Sequence, residues 1–99
     1  YILSKCVSDM PIEALTDSSL KRVIEYDRKR HTEYLYTLEI YLKNETSITR
    51  TSEELFIHRS SLIKRINKLK KLLQKDLEDP KLRLYYRIWF SLYRISTIS

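Results

Sequence analysis

Glycine is absent from all 99 residues of the sequence. Loops that cradle phosphates and turns that bind dinucleotides depend on glycine, because the backbone there adopts positive φ angles or approaches the ligand very closely. The lack of glycine therefore argues against a nucleotide hydrolase and against a dinucleotide-dependent enzyme.

Cysteine and histidine are almost as scarce. Cys6 is the only cysteine, so the chain cannot form an internal disulfide, which suits a reducing compartment such as the cytoplasm. The two histidines, His31 and His58, have no histidine or cysteine at the spacing of metal ligands, and no pair of carboxylates lies in an apolar, pocket-like run. We therefore expect no metal, no cofactor and no enzymatic activity.

Long apolar runs are also missing, since none approaches the roughly 20 residues that a membrane-spanning helix needs. The chain is still 42% hydrophobic, which is enough for one small domain with its own core. Its net charge of +6 suits association with nucleic acid or with an anionic membrane. Strand patterns are absent, so we predict a small all-α bundle of about five to six helices.

The clearest pattern in the sequence is a strongly basic helix over residues 59–74. Four apolar residues recur at spacings of four, three and four, which places them on one helical face. They are Leu62, Ile66, Leu69 and Leu73. Residues 57–75 contain seven Lys or Arg and no Asp or Glu, whereas exposed helices usually interleave the two signs. This pattern predicts a polyanionic partner; the alternative is a solvated face beside acids from other helices.

A shorter helix is predicted over residues 48–56, directly before the basic one. The small residue Ser52 precedes Leu55, and Leu62 follows Ser52 by ten positions. This spacing is typical of a helix-turn-helix, in which a small side chain lets two helices cross closely. The turn departs from the usual pattern, because Phe56 stands where many such motifs have glycine. Residues 48–74 are thus predicted to form a helix-turn-helix that binds duplex DNA.

The helix-turn-helix geometry predicts which side chains contact DNA. The start of the second helix enters the major groove, while the first helix lies across the phosphate backbone. Five residues are predicted to meet base edges: Arg59, Ser60, Ser61, Ile63 and Lys64. Seven are predicted to contact the backbone: Thr49, Arg50, Thr51, His58, Arg65, Lys68 and Lys71. For Arg65 a salt bridge to Glu39 or Glu54 is almost as suitable as a phosphate, and His58 could instead cap the helix.

Capping residues predict where the supporting helices begin. These helices span residues 18–30, 33–43 and about 80–96. Their predicted caps are Thr16 or Asp17, Thr32, and Asp79 followed by Pro80, while Ser47 is the predicted cap of the first motif helix. The basic run 28–31 ends the first of these helices, where positive charge complements the helix dipole. We therefore give that run a structural role ahead of a DNA contact.

The final helix carries two apolar stripes. The first consists of Leu84, Tyr85, Ile88, Leu92 and Ile95, and the second of Leu82, Tyr86, Trp89, Phe90 and Tyr93. In so small a domain one helix rarely buries both stripes. We predict that the second stripe forms an interface with a second subunit or with an upstream region; the alternative is complete burial inside the domain.

Residues 54–89, ELFIHRSSLIKRINKLKKLLQKDLEDPKLRLYYRIW, resemble the C-terminal helix-turn-helix domain of PucR/CdaR-type transcriptional regulators. That family runs L-F-V-H-R-N-T-L-x-x-R-L and later D-L-x-D-P. The matching residues are Leu55, Phe56, His58, Arg59, Leu62, Arg65, Leu77, Asp79 and Pro80. Upstream, the family's lead-in Y-D-x-x-x-x-T-E is matched by Tyr26, Asp27, Thr32 and Glu33. Ser60 and Ser61 depart from it, because the family usually has Asn and Thr there.

The resemblance implies a metabolite-sensing N-terminal region and a C-terminal domain that binds a promoter, commonly as a homodimer. We accordingly assign residues 18–99 to the DNA-binding domain and residues 1–17 to a remnant that leads to an upstream region absent from this chain. Two other functions remain open. One is a protein-interaction or dimerisation module that uses the apolar final helix. The other is a peripheral membrane binder, which is disfavoured because the core needs the apolar face of residues 57–75.

Overall fold

The computed structural model describes residues 16–98, which form five α-helices and no strand. In chain order the helices are α1 (Ser18–Arg30), α2 (Tyr34–Lys43), α3 (Ile48–Leu55), α4 (Arg59–Leu73) and α5 (Pro80–Ile98). The prediction of a small all-α bundle is confirmed. Of the predicted N-terminal remnant, residues 1–15 lie outside the described part of the chain.

The basic helix α4 packs against α1, α2 and α3 through its apolar stripe. Leu62, Leu69 and Leu73 are fully buried, and Ile66 is 3% exposed. The core around them contains Leu20, Val23, Leu38, Tyr41, Leu42, Leu77, Tyr86, Trp89 and Phe90. Burial of each large apolar side chain stabilises the fold by about 1.5–3 kcal/mol. Burial of the stripe therefore fixes the rotation of α4 about its own axis, and the basic face of the helix points outward.

Side-chain caps fix the starts of α1, α3 and α5. Asp17 accepts a hydrogen bond from the amide three residues on at 3.0 Å, and Ser47 does the same at 3.2 Å. Asp79 precedes Pro80 and accepts from the amide two residues on at 3.0 Å. Of the two caps predicted for α1, Asp17 is the one used. Thr16 has a different role in the core.

The start of α2 differs from the prediction. Thr32 does not cap this helix, because its hydroxyl donates to the carboxylate of Asp27 at 2.5 Å. The same carboxylate accepts hydrogen bonds from the amides of Tyr34 at 2.9 Å and Leu35 at 2.8 Å. An acid on the preceding helix thus supplies the cap of α2. It also fixes the angle between α1 and α2.

Helix α5 turns its second apolar stripe into the core. Tyr86, Trp89 and Phe90 are 0%, 2% and 5% exposed. The Tyr86 hydroxyl shares a hydrogen bond with the hydroxyl of Ser19 at 2.7 Å, and the Trp89 indole donates to the hydroxyl of Thr16 at 3.0 Å. Burial raises the pKa of Tyr86 to about 12. These contacts tie α5 to α1 and to the residues before it.

The predicted interface on α5 is therefore wrong. It comprised Leu82, Tyr86, Trp89, Phe90 and Tyr93, of which three are buried and the other two are half-buried against the core. The exposed apolar side chains of α5 belong to the first stripe: Leu84, Tyr85 and Ile88. Periodicity identifies two stripes but does not say which of them faces the bundle.

The lack of glycine has a structural consequence at the helix ends. Five residues in the described part have positive φ angles of 54° to 62°: His31, Glu45, Thr46, Phe56 and Gln74. Three of them follow the last residues of α1, α3 and α4 directly, where glycine is the usual residue. A side chain in this left-handed conformation costs roughly 1–2 kcal/mol. The domain therefore has strain that glycine would relieve.

We expect Gln74→Gly to raise the free energy of unfolding by roughly 0.5–1 kcal/mol, because Gln74 is exposed and has φ 55°. The melting temperature should rise by about 4–8 °C per kcal/mol. Lys75 is also exposed but its φ is not positive, so Lys75→Gly should lower stability by a similar amount. Thermal unfolding of the two variants measures both changes, and equal shifts would contradict the assignment of strain.

We expect Asp27→Ala to lower the free energy of unfolding by about 1–3 kcal/mol, because two amides and one hydroxyl lose their acceptor. Glu53→Ala, which removes an exposed acid of α3, should change stability by less than about 0.5 kcal/mol. Urea denaturation distinguishes the two variants. Unfolding of Asp27→Ala at the parent's midpoint would show that the Asp27 cap contributes little.

Candidate nucleic-acid interface

The turn between α3 and α4 brings the two helices together as a helix-turn-helix. Ser52 is 5% exposed at the inner face of α3, where its carbonyl accepts the amide of Ile57 at 3.1 Å. Phe56 has φ 56°, the conformation that glycine usually supplies, and its side chain is 93% exposed. The chain thus makes the turn without glycine, and α4 begins at Arg59.

The first turns of α4 have an exposed side. All five residues predicted to meet base edges lie on it: Arg59, Ser60, Ser61, Ile63 and Lys64. Ile63 is 44% exposed and offers the surface an apolar contact. Two long cations, two hydroxyls and one apolar side chain can together donate to, accept from and pack against base edges.

The N-terminal end of α3 contributes a second exposed patch beside α4. Thr49 and Arg50 are exposed, as their predicted contact with a phosphate backbone requires. The same prediction for Thr51 is wrong, because Thr51 is fully buried and its hydroxyl has no hydrogen-bond partner. Position 51 lies one helical turn before Leu55, which packs on the core, so its side chain points inward.

The cations of α4 are not neutralised by neighbouring acids. The helix carries six of them: Arg59, Lys64, Arg65, Lys68, Lys70 and Lys71. Within the described part of the chain, the ion pairs lie inside α1 or join α2 to α3 and α2 to α5. None involves a cation of α4. The alternative of a face balanced by acids from other helices therefore does not apply.

Arg65 makes neither of the two salt bridges considered for it. Glu39 pairs with Arg94, and Glu54 pairs with Lys43 at 2.9 Å, a contact that lowers the pKa of the Glu54 carboxyl. Arg65 instead lies half-buried and donates a long hydrogen bond of 3.4 Å to the buried hydroxyl of Thr37. No acid in the described part of the chain pairs with its guanidinium.

His58, Lys68 and Lys71 were also predicted to contact the DNA backbone. His58 precedes α4 and is exposed, but its side chain makes no capping hydrogen bond, so the alternative of a capping role is wrong. The Lys68 ammonium lies 5.0 Å from the centre of the Tyr26 ring on α1. Lys71 is exposed further along α4.

Tyr26 and Asp27 were not predicted to support the site. Tyr26 contacts Lys68 of α4 and also packs edge-on against Tyr34 with ring centres 5.4 Å apart. These partners are 42 and eight positions away in the sequence, so periodicity within one helix could not reveal the longer contact. The sequence signal available was the family lead-in that contains both residues.

Within residues 16–98, no three His, Cys, Asp or Glu side chains are grouped so that they could hold a metal ion. No helix in the same part of the chain is long and apolar enough to cross a membrane.

Comparison with known proteins identifies the family. A family model described as the PucR C-terminal helix-turn-helix domain matches residues 34–92. The chain is 30% identical over 89 residues to the purine catabolism regulatory protein of Bacillus subtilis (strain 168), with 87% of this chain and 17% of that protein covered. It is 40% identical over 57 residues to the proline-responsive transcriptional activator PutR of the same organism, with 58% and 14% covered. No solved structure matches it significantly.

The chain thus spans less than a fifth of the length of either relative. Both relatives are named as regulators and neither as an enzyme, which agrees with the prediction that this domain is not catalytic. The family match covers more than half of the chain and includes both helices of the motif. The chain belongs to the PucR C-terminal helix-turn-helix domain family.

Proposed function

We propose that this domain binds double-stranded DNA in a sequence-specific manner, with the first half of α4 in the major groove. The observation that supports this most directly is the exposed basic face of α4, none of whose cations is used in the ion pairs of the described residues. An α-helix about 10–12 Å wide fits a groove about 12 Å wide. The short side chains Ser60 and Ser61 allow close approach at that end.

Sequence discrimination is assigned to the exposed start of α4. Arg59 and Lys64 are suited to the acceptors of guanine, and Ser60 and Ser61 can serve as donors or acceptors. Ile63 offers an apolar contact for a thymine methyl group. A good bidentate contact contributes roughly 1–3 kcal/mol of discrimination between bases.

Affinity is assigned to contacts with phosphates. The proposed backbone contacts are Thr49, Arg50, His58, Arg65, Lys68 and Lys71. Each neutralised phosphate releases condensed counterions, so binding should weaken steeply as the salt concentration rises. Arg50 lies in the first turn of α3, where backbone amides also favour an anion.

We further propose that two copies of the domain pair through the exposed side of α5. Leu84 and Ile88 are 59% and 52% exposed and lie one helical turn apart, and Tyr85 lies beside them. A homodimer would place two α4 helices on DNA and read a repeated half-site. The interface thus moves from the predicted second stripe, which is core, to the first.

The proposed role of the whole protein is transcription regulation in the cytoplasm. In this proposal an upstream region senses a metabolite, and the present domain attaches it to a promoter. The family membership of the domain supports the proposal. The names of the two relatives concern purine catabolism and a response to proline, and these ligands are not assigned to this protein.

We expect Arg59→Ala and Lys64→Glu each to weaken binding to a duplex selected from a random pool by about tenfold or more, because both remove a cation from the groove surface. Lys21→Glu is the matched control for charge reversal. It lies in the first turn of α1, beside Arg22, which bonds to the far end of α4. Fluorescence anisotropy at constant salt compares the affinities, and circular dichroism checks folding.

The assignment of the groove surface is wrong if both folded variants bind as tightly as the parent. Equal loss in Lys64→Glu and Lys21→Glu would indicate a general effect of net charge. If the Lys64→Glu protein keeps its biological activity, the protein-interaction module is favoured instead.

We expect the double variant Leu84→Glu/Ile88→Glu to be monomeric under conditions in which the parent forms a dimer, because two carboxylates would be desolvated at the proposed interface. Arg87→Glu is the control, since Arg87 lies on the side of α5 that faces Glu39 and Leu42 of α2. Sedimentation at micromolar concentration, with and without DNA, measures the assembly. A parent that stays monomeric in both conditions contradicts the proposal.

A further inference from the structure

Helix α1 runs antiparallel to α4, and three contacts define their register. The Arg22 guanidinium donates to the carbonyl oxygens of Leu72 at 2.6 Å and Leu73 at 2.7 Å, at the end of α4. One turn further along α1, the Tyr26 ring lies under Lys68, one turn earlier in α4. Continued by another turn, this register brings the end of α1 beside the first half of α4.

The end of α1 adds cations to that side of α4. The Arg30 guanidinium lies 5.6 Å from the centre of the same Tyr26 ring that Lys68 contacts. His31 follows α1 and lines a polar cavity of about 350 Å³ together with Arg65 of α4. Arg30 and Lys68 thus lie near the Tyr26 ring, whereas His31 and Arg65 line a cavity that also includes Tyr34, which packs against Tyr26.

Only part of the basic run 28–31 at the end of α1 adds charge beside α4. Glu25 pairs with Arg28 at 2.7 Å and with Lys29 at 3.8 Å. The hydrogen bond from Arg28 lowers the pKa of the Glu25 carboxyl, so this acid stays ionised beside its two partners. Arg28 and Lys29 therefore share the single negative charge of Glu25 within α1. Arg30 and His31 are the members of the run that reach toward α4.

The end of α1 and helix α3 lie on different sides of α4. Both α1 and α3 pack on α4, but they do not pack extensively on each other. The two helices therefore flank α4 on different sides. With α4 in a groove, α3 meets the phosphates on one edge, and the end of α1 lies toward the other edge.

We propose that Arg30, His31 and Arg65 form a second phosphate-binding site, which holds the DNA strand on the opposite edge of the groove from α3. This inference rests on the proposed insertion of α4 into the major groove and adds a contact outside the helix-turn-helix. Glu33 lines the same cavity and is the acid that opposes a phosphate there. Lys68, held by Tyr26, adds positive charge one turn along α4.

The test compares two arginines two positions apart. Arg30→Gln should weaken binding about five- to tenfold near 0.1 M salt and reduce the slope of log affinity against log salt by about 0.9, as expected when one phosphate contact is lost. Because a phosphate contact carries no sequence information, the loss should be the same for the selected duplex and a scrambled one. Arg28→Gln removes the same charge from a residue paired with Glu25 and should change affinity less than about twofold.

Glu33→Gln should change DNA affinity in the opposite direction from Arg30→Gln. It removes the acid of the cavity and should tighten binding to both duplexes, with a steeper dependence on salt. Thermal melting should show that the three variants are as stable as the parent within a few degrees, since all three side chains are exposed.

Identical affinities and salt slopes for Arg30→Gln and Arg28→Gln would overturn the second phosphate site. If Lys64→Glu still loses binding in that case, the groove assignment stands and only the α1 contact is wrong. If the parent itself does not bind duplex DNA, or binds it as tightly after Lys64→Glu, the proposed function fails instead.

Discussion

Burial of one apolar stripe on α4 determines the rest of the molecule. Leu62, Ile66, Leu69 and Leu73 are at most 3% exposed, and α1, α2 and α3 pack around this helix. Because side chains on a helix occupy fixed angular positions, burying this stripe turns the acid-free basic arc outward. An exposed surface of one sign repels itself, and an anionic partner relieves that repulsion. The core and the proposed DNA surface are thus two faces of the same constraint.

Helix α1 connects the core to the surface around α4. Its Asp27 carboxylate caps α2, and its Arg22 guanidinium bonds to carbonyl groups at the end of α4. These hydrogen bonds fix the orientation of α1, so Tyr26 lies under Lys68 and Arg30 lies near the same ring. The run at the end of α1 was interpreted from sequence as structural, because it complements the dipole of its own helix. The pairing of Arg28 and Lys29 with Glu25 is local to α1, whereas the position of Arg30 beside α4 depends on how the two helices pack.

The sequence predicted elements whose cause lies within a few residues. Caps at Asp17, Ser47 and Asp79 are local hydrogen bonds, and the small residue Ser52 marks the helix crossing. Predictions failed where a group on another helix decided the outcome. The cap of α2 came from Asp27 rather than from Thr32, and the acids considered for Arg65 pair with cations of other helices. Thr51 was assigned to the surface from its place in the motif, although its helical face is buried.

By itself, the sequence determined the all-α class, the helix-turn-helix, the apolar stripe of α4 and the charge of its opposite face. These follow from helical periodicity and composition, which act along a single element. The tertiary structure decided which stripe of α5 faces the core. Tyr86 and Trp89 on that stripe form hydrogen bonds with Ser19 and Thr16, which lie 67 and 73 positions earlier in the chain. It also decided which cations gather beside α4. Such choices depend on how rigid helices dock, and a pattern within one helix carries no information about its neighbours.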